Sequence, residues 1–137
     1  MTYLEICQSQ LPVDEGVRTK PYRDTVGKLT IGVGRNLDDR GLLPDEIDLL
    51  LRNDIAQADK DARSLVPSFD SLSERRKAVL VNMAFNLGRT RLSGFVNFLG
   101  AIADKEWREA ESAMMNSKWA IQVGQRAIRL STMMREG

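Results

Sequence analysis

From Ile47 to Leu65 the apolar residues return every three or four positions: Ile47, Leu50, Leu51, Ile55, Ala58, Ala62 and Leu65. That is the period of one helix face, held over about six turns. Pro44 suits the first helical position, and Asp45 and Glu46 suit the first turn. A helix over residues 44–65 is long enough to bridge two lobes. The segment before it follows another rule. Pro21-Tyr22-Arg23 and Lys28-Leu29-Thr30-Ile31 flank Asp24-Thr25-Val26-Gly27, a hairpin signal with glycine at the turn. Gly32, Gly34 and Asn36 interrupt any helix, and Asn36-Leu37-Asp38-Asp39-Arg40-Gly41 reads as a loop.

The rest of the chain reads as helices. Thr2-x-x-Glu5 is a capping box that opens a first helix, expected to end before Pro12. Ser71-x-x-Glu74 reads as a second box. Val79, Leu80, Met83, Ala84 and Leu87 follow on one face until Gly88 stops the helix. Shorter helices are expected near 94–103, 106–115 and 125–135. The pattern predicts an α+β fold, with one β-hairpin near the N-terminus and then helices only. By length, 1–137 is a single domain. Its expected lobes are a hairpin lobe (13–43), a connecting helix (44–65) and a helical lobe (66–137 with 1–11).

Composition removes much chemistry. The chain has no histidine, which excludes Ser-His-Asp and Cys-His machinery and histidine-ligated zinc. Its single cysteine, Cys7, allows no internal disulfide and is expected to be buried or idle. No metal or cofactor is implied. No apolar run approaches the ~20 residues of a membrane span, and the start has no export signal, so synthesis in the cytoplasm is expected. A net charge of +1 gives no sign of nucleic-acid binding. The charge is uneven: residues 1–63 carry 9 basic and 12 acidic groups, residues 64–137 carry 11 and 7. The second part can face a polyanion weakly.

Without histidine, the proton carriers are expected to be Asp and Glu. Glycoside hydrolysis fits, since it needs two carboxyl groups in different states. Glu15 follows the first helix, Asp24 sits at the hairpin turn, and Thr30 lies on the returning strand, where its hydroxyl can help hold a water. Each also has a plainer reading: Glu15 as a solvated loop acid, Asp24 as a turn former, Thr30 as an ordinary strand residue. Gly32 and Gly34 can serve a bulge or a loop. Met83, Met114, Met115, Met133 and Met134 read as core filler.

The spacing Glu15, Asp24, Thr30, followed by Thr30-Ile31-Gly32-Val33-Gly34-x-Asn36, resembles the phage-type lysozymes, glycoside hydrolase family 24. Further similarity follows in order: Asn82-Met83-Ala84-Phe85-Asn86-Leu87-Gly88, Gly94-Phe95-x-Asn97, Trp107, Ser117-Lys118-Trp119 and Arg126-Ala127. The resemblance implies a two-lobed, lysozyme-like fold with an interlobe cleft. It implies an endolysin muramidase that cuts the β-1,4 bond from N-acetylmuramic acid to N-acetylglucosamine in bacterial peptidoglycan. Glu15 would be the acid, Asp24 the water-directing base and Thr30 the helper. Gly34, Phe85, Asn86, Trp119 and Arg126 would meet substrate, and Arg126 would also pair with Glu15. A monomer is expected. It would wait in the host cytoplasm and reach the periplasm and wall through holin pores, without inserting in a membrane.

The chain departs from the family's pattern in places. It moves almost directly from the Gly-x-Gly run into the long helix, where better-known members insert a third strand. It carries Arg35 where some relatives have His, and Asn86 where Gln is common. Two rival readings remain: a lytic transglycosylase, which needs one Glu and no activated water, and a catalytically inactive wall-binding module.

Overall fold

A computed structural model describes all 137 residues. Helix α1 (Tyr3–Glu15) leads into strands β1 (Arg18–Arg23), β2 (Leu29–Gly32) and β3 (Arg35–Asn36), then a one-turn helix α2 (Leu37–Arg40) and the long helix α3 (Pro44–Leu65). Six helices follow: α4 (Glu74–Leu87), α5 (Arg89–Ser93), α6 (Val96–Ala103), α7 (Trp107–Met115), α8 (Lys118–Val123) and α9 (Gln125–Glu136), with a single 3₁₀ turn at Phe69–Ser71. The class is α+β as expected. The chain divides into two compact units, Met1–Leu49 and Leu50–Gly137. The boundary falls inside α3, and α1 groups with the sheet rather than with the helical lobe.

In the first unit, Thr2 caps α1 as read, its hydroxyl accepting from the Glu5 N–H at 3.2 Å. Pro12 does not end that helix. It lacks only the N–H that would reach back one turn, and the helix runs on to Glu15. Gly16, at φ 80°, ends it, donating its N–H to the Pro12 carbonyl at 3.0 Å.

The sheet has antiparallel order β1-β2-β3. β1 and β2 form the expected hairpin, with Tyr22 opposite Thr30 and Arg23 opposite Leu29. The pairing is irregular between Arg18 and Tyr22, next to Pro21, which has no N–H for a ladder. The expectation of one hairpin followed by helices only is corrected: a two-residue β3 pairs Asn36 with Thr30 and Arg35 with Ile31. Gly32 and Gly34, at φ 68° and 71°, let the chain reverse tightly around Val33. The expected loop at 36–41 is also corrected, since Asn36 Oδ1 accepts from the Asp39 N–H at 2.9 Å and caps α2.

α3 starts at Pro44 as read. Glu46 reaches back to the Leu43 N–H at 2.7 Å, half of a capping box, and also takes a hydrogen bond from Arg35. Arg35 Nη1 donates as well to the Gly41 carbonyl at 3.2 Å, tying β3 to the start of α3.

The buried apolar core lies in the second unit, with Leu80, Met83, Leu92, Phe98, Ile102, Met114, Leu130 and Met134 almost fully enclosed. Met83, Met114 and Met134 fill it as expected, whereas Met115 is exposed. The cap of α4 is Ser73, which accepts from the Arg76 N–H; the Ser71 hydroxyl instead donates to the Ser68 carbonyl. α5 and α8 were not legible as separate helices, being only five and six residues long. Arg76 lies 3.8 Å over the Trp107 ring and donates to the carbonyls of Met134 and Arg135 at the end of α9. Its burial lowers the guanidinium pKa from the ordinary value.

Candidate active site

The first unit brings Glu15 to Gly34. Glu15 is the last residue of α1 rather than a loop residue beyond it. Gly34 turns at φ 71°, and a methyl group built on it would lie 3.3 Å from Glu15 Oε2. Bare backbone therefore gives the carboxylate its space.

Asp24 and Thr30 are joined through one peptide. Asp24 Oδ1 accepts from the N–H of Val26 at 3.0 Å and of Lys28 at 2.8 Å. This is the turn-forming role foreseen for it. Neither bond uses Oδ2. The Asp24 N–H and the Thr30 hydroxyl both donate to the Lys28 carbonyl, each at 2.9 Å. Thr30 is 4% exposed. Its proton is thus committed to the backbone, and its oxygen keeps accepting capacity.

Four elements fix these groups: the end of α1, the first turn, β2, and the second turn. The two turns stand at opposite ends of β2. At ~3.4 Å per residue, that strand holds its ends about 10 Å apart. The Lys28-Leu29 junction is pinned further by α2. The Leu29 N–H donates to Asp38 Oδ2 at 2.8 Å, and Lys28 Nζ to Asp39 Oδ1 at 3.2 Å. Asp38 was missed in the sequence. Its signal was present as Asn36 at a cap, two acids in a first turn and Gly41 behind them.

The expected substrate contacts in the second unit fall into two places. Phe85 and Arg126 share a cavity of about 370 Å³ with Leu51, Ile55, Val81 and Asn82. Phe85 is 47% exposed. Arg126 donates to Asn82 Oδ1 from Nε at 2.9 Å and from Nη2 at 2.7 Å, a fork that fixes its plane. Asn82 had not been singled out for this. Asn86 and Trp119 meet elsewhere, the indole Nε1 donating to Asn86 Oδ1 at 2.8 Å. Trp119 is 3% exposed and packs edge-on to Phe95. The Trp119 ring thus lies in the core, and its N–H holds the exposed Asn86 in place. Cys7 is exposed rather than buried.

The sequence is also similar to known proteins. The phage lysozyme family model matches residues 13–136. Two proteins of Dictyostelium discoideum, probable T4-type lysozymes 1 and 2, are 28% and 27% identical, with 95% of this chain and 94% of each relative covered. Those alignments run to 159 positions, more than the 137 residues here, so the relatives carry segments with no counterpart in this chain. The pre-baseplate central spike protein Gp5 of Enterobacteria phage T4 is 26% identical over 90% of this chain, which corresponds to 26% of that protein. With nearly its whole length matched, the chain belongs to the phage lysozyme family.

Proposed function

We propose that this lysozyme-family glycoside hydrolase is a muramidase that hydrolyses the β-1,4 bond from N-acetylmuramic acid to N-acetylglucosamine. The observation that carries the reading is the pairing of Glu15 with the bare backbone of Gly34 at one end of β2, with Asp24 and Thr30 tied to Lys28 at the other.

Glu15 donates its proton to the glycosidic oxygen. Asp24 Oδ2 takes a proton from water on the opposite face of the sugar. Thr30, whose own proton goes to Lys28, accepts the second hydrogen of that water. Both water hydrogens are then held and a lone pair faces the anomeric carbon. The bond from water to that carbon forms as the bond to the leaving oxygen breaks. Such a single displacement needs carboxyl groups about 6.5–9.5 Å apart; a nucleophilic pair stands ~5–5.5 Å apart. Phe85, Asn86 and Arg126 are proposed as contacts for the saccharide or its peptides.

In this reading the protein is a monomeric endolysin that reaches the wall through holin pores. No helix is long and apolar enough to cross a membrane. Purified protein should clear chloroform-treated Gram-negative cells, and Glu15→Gln should not. Released fragments should end in reducing N-acetylmuramic acid. A 1,6-anhydro end would instead mark a transglycosylase, and wall binding without clearing would mark an inactive module. Expressed inside intact cells, the protein should cause no lysis until the membrane is permeabilised.

A further inference from the structure

β2 begins where its support on one side runs out. β3 has only two residues, opposite Thr30 and Ile31, and reaches no further back along β2. The Leu29 N–H therefore has no strand partner there. Asp38, in α2, supplies the missing acceptor, its Oδ2 standing 2.8 Å from that nitrogen. Arg23 Nη1 lies 3.8 Å from the same oxygen and donates to the Gly27 carbonyl at 3.0 Å, so the anchor also reaches the turn.

The peptide before Leu29 is the one on which the proposed base and helper depend. Its carbonyl, that of Lys28, receives both the Asp24 N–H and the Thr30 hydroxyl. Fixing the Leu29 nitrogen fixes the plane of the Lys28–Leu29 peptide, and so the direction of that carbonyl. A small rotation there would swing Thr30 and Asp24 relative to each other. Misplacement by ~1 Å can cost about 100-fold in rate.

We infer that Asp38 is a positioning residue for hydrolysis: its side chain stands in for absent strand and holds the Lys28–Leu29 peptide so that Asp24 and Thr30 grip one water. The inference rests on the catalytic reading of Asp24 and Thr30 above.

The test is steady-state kinetics on soluble peptidoglycan oligosaccharides, with Asp38→Ala, Asp38→Asn, Asp38→Glu and Asp24→Asn compared per folded molecule. Asp38→Ala should lower kcat about tenfold and leave KM within about twofold. Asp38→Asn keeps an oxygen that can accept from Leu29 and should stay within about threefold of wild type. Asp38→Glu keeps the charge but shifts the oxygen by a methylene, and should lose more than Asp38→Asn. That order identifies the hydrogen bond rather than the charge and can be read even if Asp38→Ala fails to fold. A purely structural role would lower the melting temperature and leave kcat per folded molecule unchanged. If the Asn and Glu variants both match wild type while Asp24→Asn is inactive, the positioning role is overturned and the catalytic reading stands. If Asp24→Asn keeps more than a tenth of wild-type kcat, the catalytic reading falls and the inference falls with it.

Discussion

Glu15, Gly34 and Thr30 make different demands, and their substitutions should differ in kind. Glu15→Gln keeps size and most hydrogen bonding but delivers no proton. Turnover should fall by at least ~10²-fold with an unchanged melting temperature. Thr30→Ala loosens one contact to the water and should cost activity less than Glu15→Gln. Gly34→Ala places a methyl group 3.3 Å from Glu15 Oε2 at a backbone angle that L-residues resist. It should lose about 1–2 kcal/mol of stability, measured by urea denaturation, together with a drop in turnover from the displaced acid.

At the scale of elements, the start of α3 carries a charge clamp. The Arg35 hydrogen bond, with the Leu43 N–H, holds the Glu46 carboxyl below its ordinary pKa. A carboxyl lowered in the folded state stabilises fully above its unfolded value, and that stabilisation is lost as pH falls through the folded value. Glu46→Gln should therefore destabilise near neutral pH and converge on wild type in acid. Denaturant titrations over a pH series read this directly. A constant difference at all pH values would show that the charge plays no part.

The elements also show what the sequence makes legible. The long helix was plain because Ile47 to Leu65 repeats one period over many turns. The first hairpin was plain because Gly27 sits at its turn. Pro12 misled because its helix-breaking cost is local: a proline in the last turn removes one bond and leaves the rest. β3 and α2 stayed hidden because two strand residues and one helical turn are shorter than any period. For the site, Glu15, Asp24 and Thr30 were visible as a spacing. Asp38 and Asn82 were not, since each acts through a contact between elements that no local pattern encodes.

At the scale of the molecule, stability and charge are unevenly spread. The second unit holds the apolar core, so Leu80→Ala or Met114→Ala should cost about 2–5 kcal/mol in unfolding free energy. Residues 64–137 carry 11 basic against 7 acidic groups, which should give wall binding that weakens with salt. Equal retention on purified walls at low and high ionic strength would remove that role.

The central claim is that Asp24 directs water rather than attacking carbon. Proton NMR of the first reducing-end anomer released from a β-linked substrate tests it most directly. A single displacement by water predicts an initial α product, which then mutarotates. An initial β product, or a glycosyl adduct trapped on Asp24, would contradict the account and make Asp24 a nucleophile.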